Sequence, residues 1–163
     1  PADPKLQTTI FNGFELRAAV APYTGGGYMH TTDDRTPVTF ITRYYLDKIK
    51  RLCDAHGTKL LFVTAPSPVN HTMQRHNEVQ ALADALAVPY LDLNLNTEEL
   101  GIDWNLDTLD GGDHLNYTGC QKATAYLQWY MQTHYTLPYR RDDVRYEAWN
   151  KQAEEFEKLL PQP

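Results

Sequence analysis

The spacing of apolar and polar positions divides the chain into regular elements behind an irregular start. From Val38 to Ala55, Phe40, Ile41, Tyr44, Tyr45, Ile49, Leu52 and Cys53 recur at three- and four-residue intervals, which predicts an amphipathic helix ending near Gly57. "KLLFVTAP" (59–66) is a short apolar run closed by proline and predicts a buried parallel strand. A second helix is predicted over 74–87, with Val79, Leu82, Ala83 and Leu86 on one face, and "VPYLDLN" (88–94) predicts a second strand. A third helix is predicted over 117–134. The charged tail, 142–160, predicts a surface helix that packs Val144, Trp149, Phe156 and Leu159. Residues 1–37, rich in Gly and Pro and without periodicity, form an irregular arm, 38–134 an α/β domain and 135–163 a C-terminal surface helix extension. Helix, strand, helix, strand at this spacing argues for right-handed parallel crossovers and a three-layer, mainly parallel α/β sheet with flanking helices. Two parallel strands leave faces and edges under-protected, so further strands, N-terminal to these, are expected to complete the sheet.

Composition narrows the function classes. With 163 residues, 42% of them hydrophobic and 22% charged, the chain is one globular domain able to bury a core. The net charge of −6, and basic residues clustered no further than pairs such as Lys50-Arg51 and Arg140-Arg141, argue against nucleic acid as a partner. No apolar run approaches the roughly 18 to 20 residues of a membrane span, and no signal segment opens the chain. Cys53 and Cys120 have no Cys or His at zinc-site spacing and read as buried free thiols, with a disulfide between them left open.

In an open α/β sheet, ligand chemistry gathers at the carboxyl ends of the strands. Those ends deliver "APSPVNH" (65–71) and "DLNLN" (92–96), and the next connection is "DTLDGGDHLNYTG" (107–119). This last stretch starts like a calcium loop at Asp103, Asn105 and Asp107. Thr108 then stands where the sharp-turn glycine belongs and His114 where the bidentate Glu belongs, so no metal site is expected. Turn chemistry explains Gly111 and Gly112, and either Asp113 or Asn116 as the cap of the following helix. It does not call for a histidine flanked by acids. A His just before a helix with a carboxylate nearby is the base-and-orienter half of a nucleophilic triad. His114 is the candidate base and Asp110 or Asp113 its partner. Loop geometry favours Asp110, because the residue immediately before His114 in an extended segment points its side chain away. Asn70, His71 and Asn116 are candidate substrate contacts and Trp104 a candidate wall for a sugar ring. His71 and His76, five apart, do not share a helix face as a zinc pair would.

"DGGDHLNYTG", with "KLLFVTAPSP" before it, resembles the C-terminal part of an SGNH (GDSL-like) hydrolase, in particular the extracytoplasmic bacterial branch, over about residues 38–134. The resemblance implies an SGNH/flavodoxin-like sheet and a Ser-His-Asp triad whose Ser follows the first strand. It also implies an oxyanion hole built by that Ser's backbone with a Gly and an Asn. Carried over, His114 is the base and Asp110 or Asp113 its partner, although the Asp stands four or one before the His where the family has three. No nucleophile motif is present. Ser67, the only serine, lies between Pro66 and Pro68 and reads as a turn residue. A chain opening on Pro1, a sheet short of strands and a motif set without its first half together read as the later part of a larger protein, inactive alone. The expected function is an esterase or acyl (acetyl) transferase acting on a cell-envelope polymer or acylated glycan, without metal or cofactor. Its expected location is extracytoplasmic, with any membrane attachment through an upstream anchor. The alternative is a non-catalytic SGNH-like binding or scaffolding domain.

Overall fold

The three longest helices begin where a side chain caps the first turn. The computed structural model describes residues 14–160; the first thirteen residues of the expected arm and the last three of the chain lie outside it. Thr39 accepts the Thr42 N–H at 3.1 Å and opens α1, Phe40–Ala55. Thr72 caps α2, Met73–Leu86, in the same way, and α2 stops at Ala87, which adopts the left-handed conformation (φ 50°). Strand β1, Phe62–Thr64, precedes α2, and β2, Tyr90–Asp92, follows it. They pair in parallel, with Phe62 opposite Tyr90 and Thr64 opposite Asp92. Asp92 then accepts the Asn94 N–H and turns the chain into a 3-10 turn, Leu93–Asn96, and the short α3, Thr97–Leu100. After a long loop Asn116 caps α4, Tyr117–His134. A 3-10 turn, Val144–Tyr146, leads into α5, Glu147–Glu157.

The strands are shorter than the apolar runs predict. Pro66 follows β1 and Pro89 precedes β2, and neither has an N–H for a ladder. Alternation along β2 divides its surroundings. Leu91 joins Leu93 and Leu100 in a core against Leu61, Ile102 and the α4 residues Ala123, Tyr126, Leu127 and Tyr130. Tyr90 and Asp92, on the opposite side, meet His76 of α2. Leu82 and Ala83 are buried on α2 beside the buried Glu78, whose carboxylate accepts from Arg43 and from the Val38 N–H and so ties α1 to α2. The architecture is mixed α/β: five helices and a two-stranded parallel sheet among the described residues.

Two apolar surfaces differ from expectation. The α1 stripe is helical as predicted, but Ile41, Tyr45 and Leu52 are 67%, 57% and 61% exposed, and no element covers them among the described residues. Of the four tail residues expected to pack, only Phe156 does so among the described residues, edge-on to Phe14 at 5.2 Å and near Tyr117. Val144 stands out on the 3-10 turn, Leu159 lies past the helix end, and Trp149 borders an open groove between α4 and α5. Both cysteines are free and half-buried, and burial pushes the Cys120 thiol up. No helix among the described residues is long and apolar enough to cross a membrane.

Candidate functional site

The loop from Asp103 to Asn116 is closed at its neck by backbone pairing: Leu109 N–H donates to the His114 carbonyl at 2.9 Å and Asn116 N–H to the Asp107 carbonyl at 3.0 Å. Below the neck, Asp107 is buried and takes hydrogen bonds from the Asp103 N–H, the Thr118 hydroxyl and the Lys122 ammonium. Burial would raise its carboxyl, and these donors outweigh burial and hold it below the usual range. At the tip, Gly112 has φ +100°, a conformation closed to most side chains, and its N–H donates to the buried Thr108 hydroxyl at 2.7 Å. Two neighbours brace the tip: Gly111 N–H reaches the Ala21 carbonyl at 2.9 Å, and the Ser67 hydroxyl donates to the Asp113 carbonyl at 2.8 Å.

On this frame Asp110 and His114 meet. One carboxylate oxygen of Asp110 accepts the His114 backbone N–H at 2.7 Å, and the other lies 2.7 Å from Nδ1 of the ring. Asp113 is a poorer partner at 3.7 Å, its other oxygen being taken by the Asn70 side-chain amide. With Nδ1–H donating to Asp110, the neutral ring carries its lone pair on Nε2, which has no hydrogen-bond partner among the described residues and sits on a ring that is 67% exposed. The hydrogen bond from Nδ1 to Asp110 raises the His114 pKa above its ordinary 6.5. For Asp110, slight burial pushes upward, and the bonds from His114 outweigh it and hold the carboxyl low. A base oriented by a carboxylate, with its second nitrogen open, is the arrangement that takes a proton from an attacking hydroxyl.

The other candidates fall in distinct places. Asn70 is exposed and joined to Asp113, and its carbonyl accepts from Arg75. His71 is buried, with Nε2 2.8 Å from Asp92. Asn116 is 2% exposed; its oxygen caps α4 at the Gly119 N–H and its amide donates to Ala19 and Leu106 carbonyls, so its polar atoms point into the fold. Trp104 packs edge-on to Tyr23 and Tyr28. Ser67 offers no hydroxyl to His114: it donates to loop carbonyls, and its N–H is taken by Asn94. Asp110, Asp113 and His114 each have a ligand atom within 4.8 Å of the others and could together offer a nitrogen and two carboxylate oxygens to a cation.

One cluster escapes sequence reasoning. Asp92, whose side chain is 1% exposed, accepts from His71 Nε2 and His76 Nδ1, both at 2.8 Å, and from the backbone and side chain of Asn94. Burial pushes its carboxyl up, and the His71 and Asn94 hydrogen bonds more than offset that, leaving it at about 2. The cluster joins the two strand-end loops, since Asn94 also accepts the Ser67 N–H and donates to the Ala65 carbonyl. The available signal was the alternation of Asp92 onto the face of β2 opposite Leu91. Comparison with protein-family models, curated proteins and solved structures finds no match for this chain.

Proposed function

We propose that the chain supplies the Asp–His half of a Ser-His-Asp triad in an SGNH-like esterase or acyltransferase that acts on an ester of a glycan or cell-envelope polymer. The carrying observation is the His114 ring, held by Asp110 through Nδ1 and open at Nε2. In this reading a serine on an upstream segment attacks the ester carbonyl as His114 Nε2 takes its proton. Asp110 stabilises the imidazolium, and His114 then returns the proton to the departing alcohol oxygen. Water, or an acceptor hydroxyl, releases the acyl group by the same route in reverse. Three features support an upstream supply of the missing parts: the sole serine is committed to loop carbonyls, each strand has an unpaired edge among the described residues, and the apolar stripe of α1 is bare. Helices meeting opposite faces of β2 support the three-layer arrangement of that fold. The extracytoplasmic placement belongs to the same proposal and rests on the resemblance.

The test is p-nitrophenyl acetate hydrolysis by the polypeptide carrying the sequence encoded ahead of Pro1. His114→Ala is expected to lower kcat/KM by about 10³-fold or more, and Asp110→Asn by a comparable factor, with little change in KM and none on adding EDTA. Turnover that survives His114→Ala removes the dyad from the mechanism. Turnover lost to EDTA assigns the Asp110, Asp113 and His114 cluster to a metal instead. A folded protein with no turnover favours the binding-domain alternative.

A further inference from the structure

Beside the acid–base loop lies a groove of about 470 Å³, within the size range of small-ligand sites, walled by Tyr23, Tyr28 and Trp104 and edged by His30, Asn94, Thr97 and the glycine run at 26–27. Among the described residues no carboxylate, lysine or arginine lines it. The walls are built rather than incidental. Tyr28 and Tyr23 stand edge-on to the Trp104 indole at 6.0 and 6.1 Å, Tyr23 N–H donates to the Trp104 carbonyl at 2.9 Å, and the Tyr28 hydroxyl donates to the buried Asn94 at 3.0 Å. The Tyr23 ring is held between two glycines. A Cβ on Gly25 would come within 2.6 Å of the ring carbon Cζ, and one on Gly112 within 2.7 Å of Cδ2. Gly112 stands two residues before His114, so one aromatic ring is both a wall of the groove and a neighbour of the loop that carries the base.

We propose that this groove is a subsite for an uncharged sugar residue of the substrate, a proposal that rests on the hydrolase reading and narrows its substrate class. Aromatic faces with polar groups at the rim suit a pyranose, whose C–H faces are apolar and whose edge is a ring of hydroxyls. The absence of lysine and arginine among the described lining residues, the carboxylates of Asp110 and Asp113 on the adjoining loop and the net charge of −6 disfavour an anionic polymer such as a uronate or a polyol phosphate. The groove holds the sugar that bears or adjoins the ester, and Tyr23 sets its distance from His114.

The proposal is tested by titrating the full chain with chitotetraose, xylotetraose and the anionic trigalacturonate while following backbone and indole N–H signals by NMR. Saturable shifts centred on Tyr28 and Trp104 with at least one neutral glycan are expected. Trigalacturonate binding should be at least about tenfold weaker. Trp104→Ala should weaken the neutral glycan at least about tenfold, and His114→Ala should leave its affinity within about twofold. Should Trp104→Ala fail to fold, the rim variant His30→Ala and the position of the shifted signals decide. Shifts that map elsewhere, equal or tighter binding of trigalacturonate, or no saturation by either neutral glycan at tens of millimolar would overturn the proposal. Glycan binding with no ester turnover in the longer polypeptide would sink the dyad and keep the groove. Turnover dependent on His114, with no binding at Trp104, would do the reverse.

Discussion

Replacing Asp92 by Asn separates the charge of the carboxylate from its size. One Asp92 oxygen serves His71 and His76 and the other serves the backbone and side chain of Asn94, four donors around a side chain that is 1% exposed. An amide has one acceptor oxygen, so whichever way it turns, its NH2 group faces two donors that have lost their acceptor. At about 1 to 3 kcal/mol for each buried polar group left without a partner, and with a histidine able to shift its proton to relieve one of the two, the cost is about 1 to 3 kcal/mol at pH 7. The pH dependence has a definite sign. The carboxyl ionises at about 2 in the fold against the ordinary 3.8, so its contribution is present above pH 3.8 and is lost as pH falls through about 2. That shift corresponds to about 2 kcal/mol, and the gap between wild type and Asp92→Asn should narrow by that amount as the pH drops through this window. Urea unfolding followed by circular dichroism at pH 7, 4 and 1.5 measures it. A gap below about 0.5 kcal/mol at pH 7, or a gap of several kcal/mol that does not narrow, would refute the assignment of Asp92 as the anionic tie between the two strand-end loops.

Three further outcomes are expected. By NMR the His114 ring should titrate above 6.5 in wild type; Asp110→Asn should lower that midpoint and Asp113→Asn should lower it less, and the reverse ranking would move the partnership to Asp113. Asn116→Ala should cost about 2 to 4 kcal/mol in urea unfolding, from a lost helix cap together with Ala19 and Leu106 carbonyls left without their donor. A cost below about 0.5 kcal/mol would free that side chain for a substrate role. Ala87→Gly should stabilise by about 0.5 to 1 kcal/mol, since Ala87 holds φ 50° at the end of α2; destabilisation would show that the methyl group packs.

Local order was legible in the sequence because its causes are local. The third predicted helix matches α4 end to end, since Asn116 caps it and the apolar period runs through to His134. Asp110 was favoured over Asp113 as the partner of His114 because the side chain next to the histidine in an extended segment points away, and Asp110 and His114 lie 2.7 Å apart. What periodicity does not carry is the identity of the neighbour. The α1 stripe announces a helix but not what covers it, and the tail pattern was assigned four packing residues of which Phe156 alone packs. The Asp92 cluster was illegible for a related reason: its members are 16 and 21 residues apart and meet only after α2 has crossed back onto β2. The calculation that set His71 and His76 apart, five residues on an ideal helix, does not apply, since His71 precedes the Thr72 cap and approaches Asp92 from the loop. The groove beside Trp104 needed the arm, where Tyr23 and Tyr28 lie among glycines that carry no periodic signal.

The central claim is that His114, oriented by Asp110, is the base for a serine outside these 163 residues. Fluorophosphonate labelling of the polypeptide that includes the upstream sequence, with the modified residue mapped by mass spectrometry, tests it most directly. Modification of an upstream serine in wild type, lost in His114→Ala and strongly slowed in Asp110→Asn, is the expected result. Labelling at Ser67, labelling indifferent to His114, or no labelling of the folded protein would contradict it.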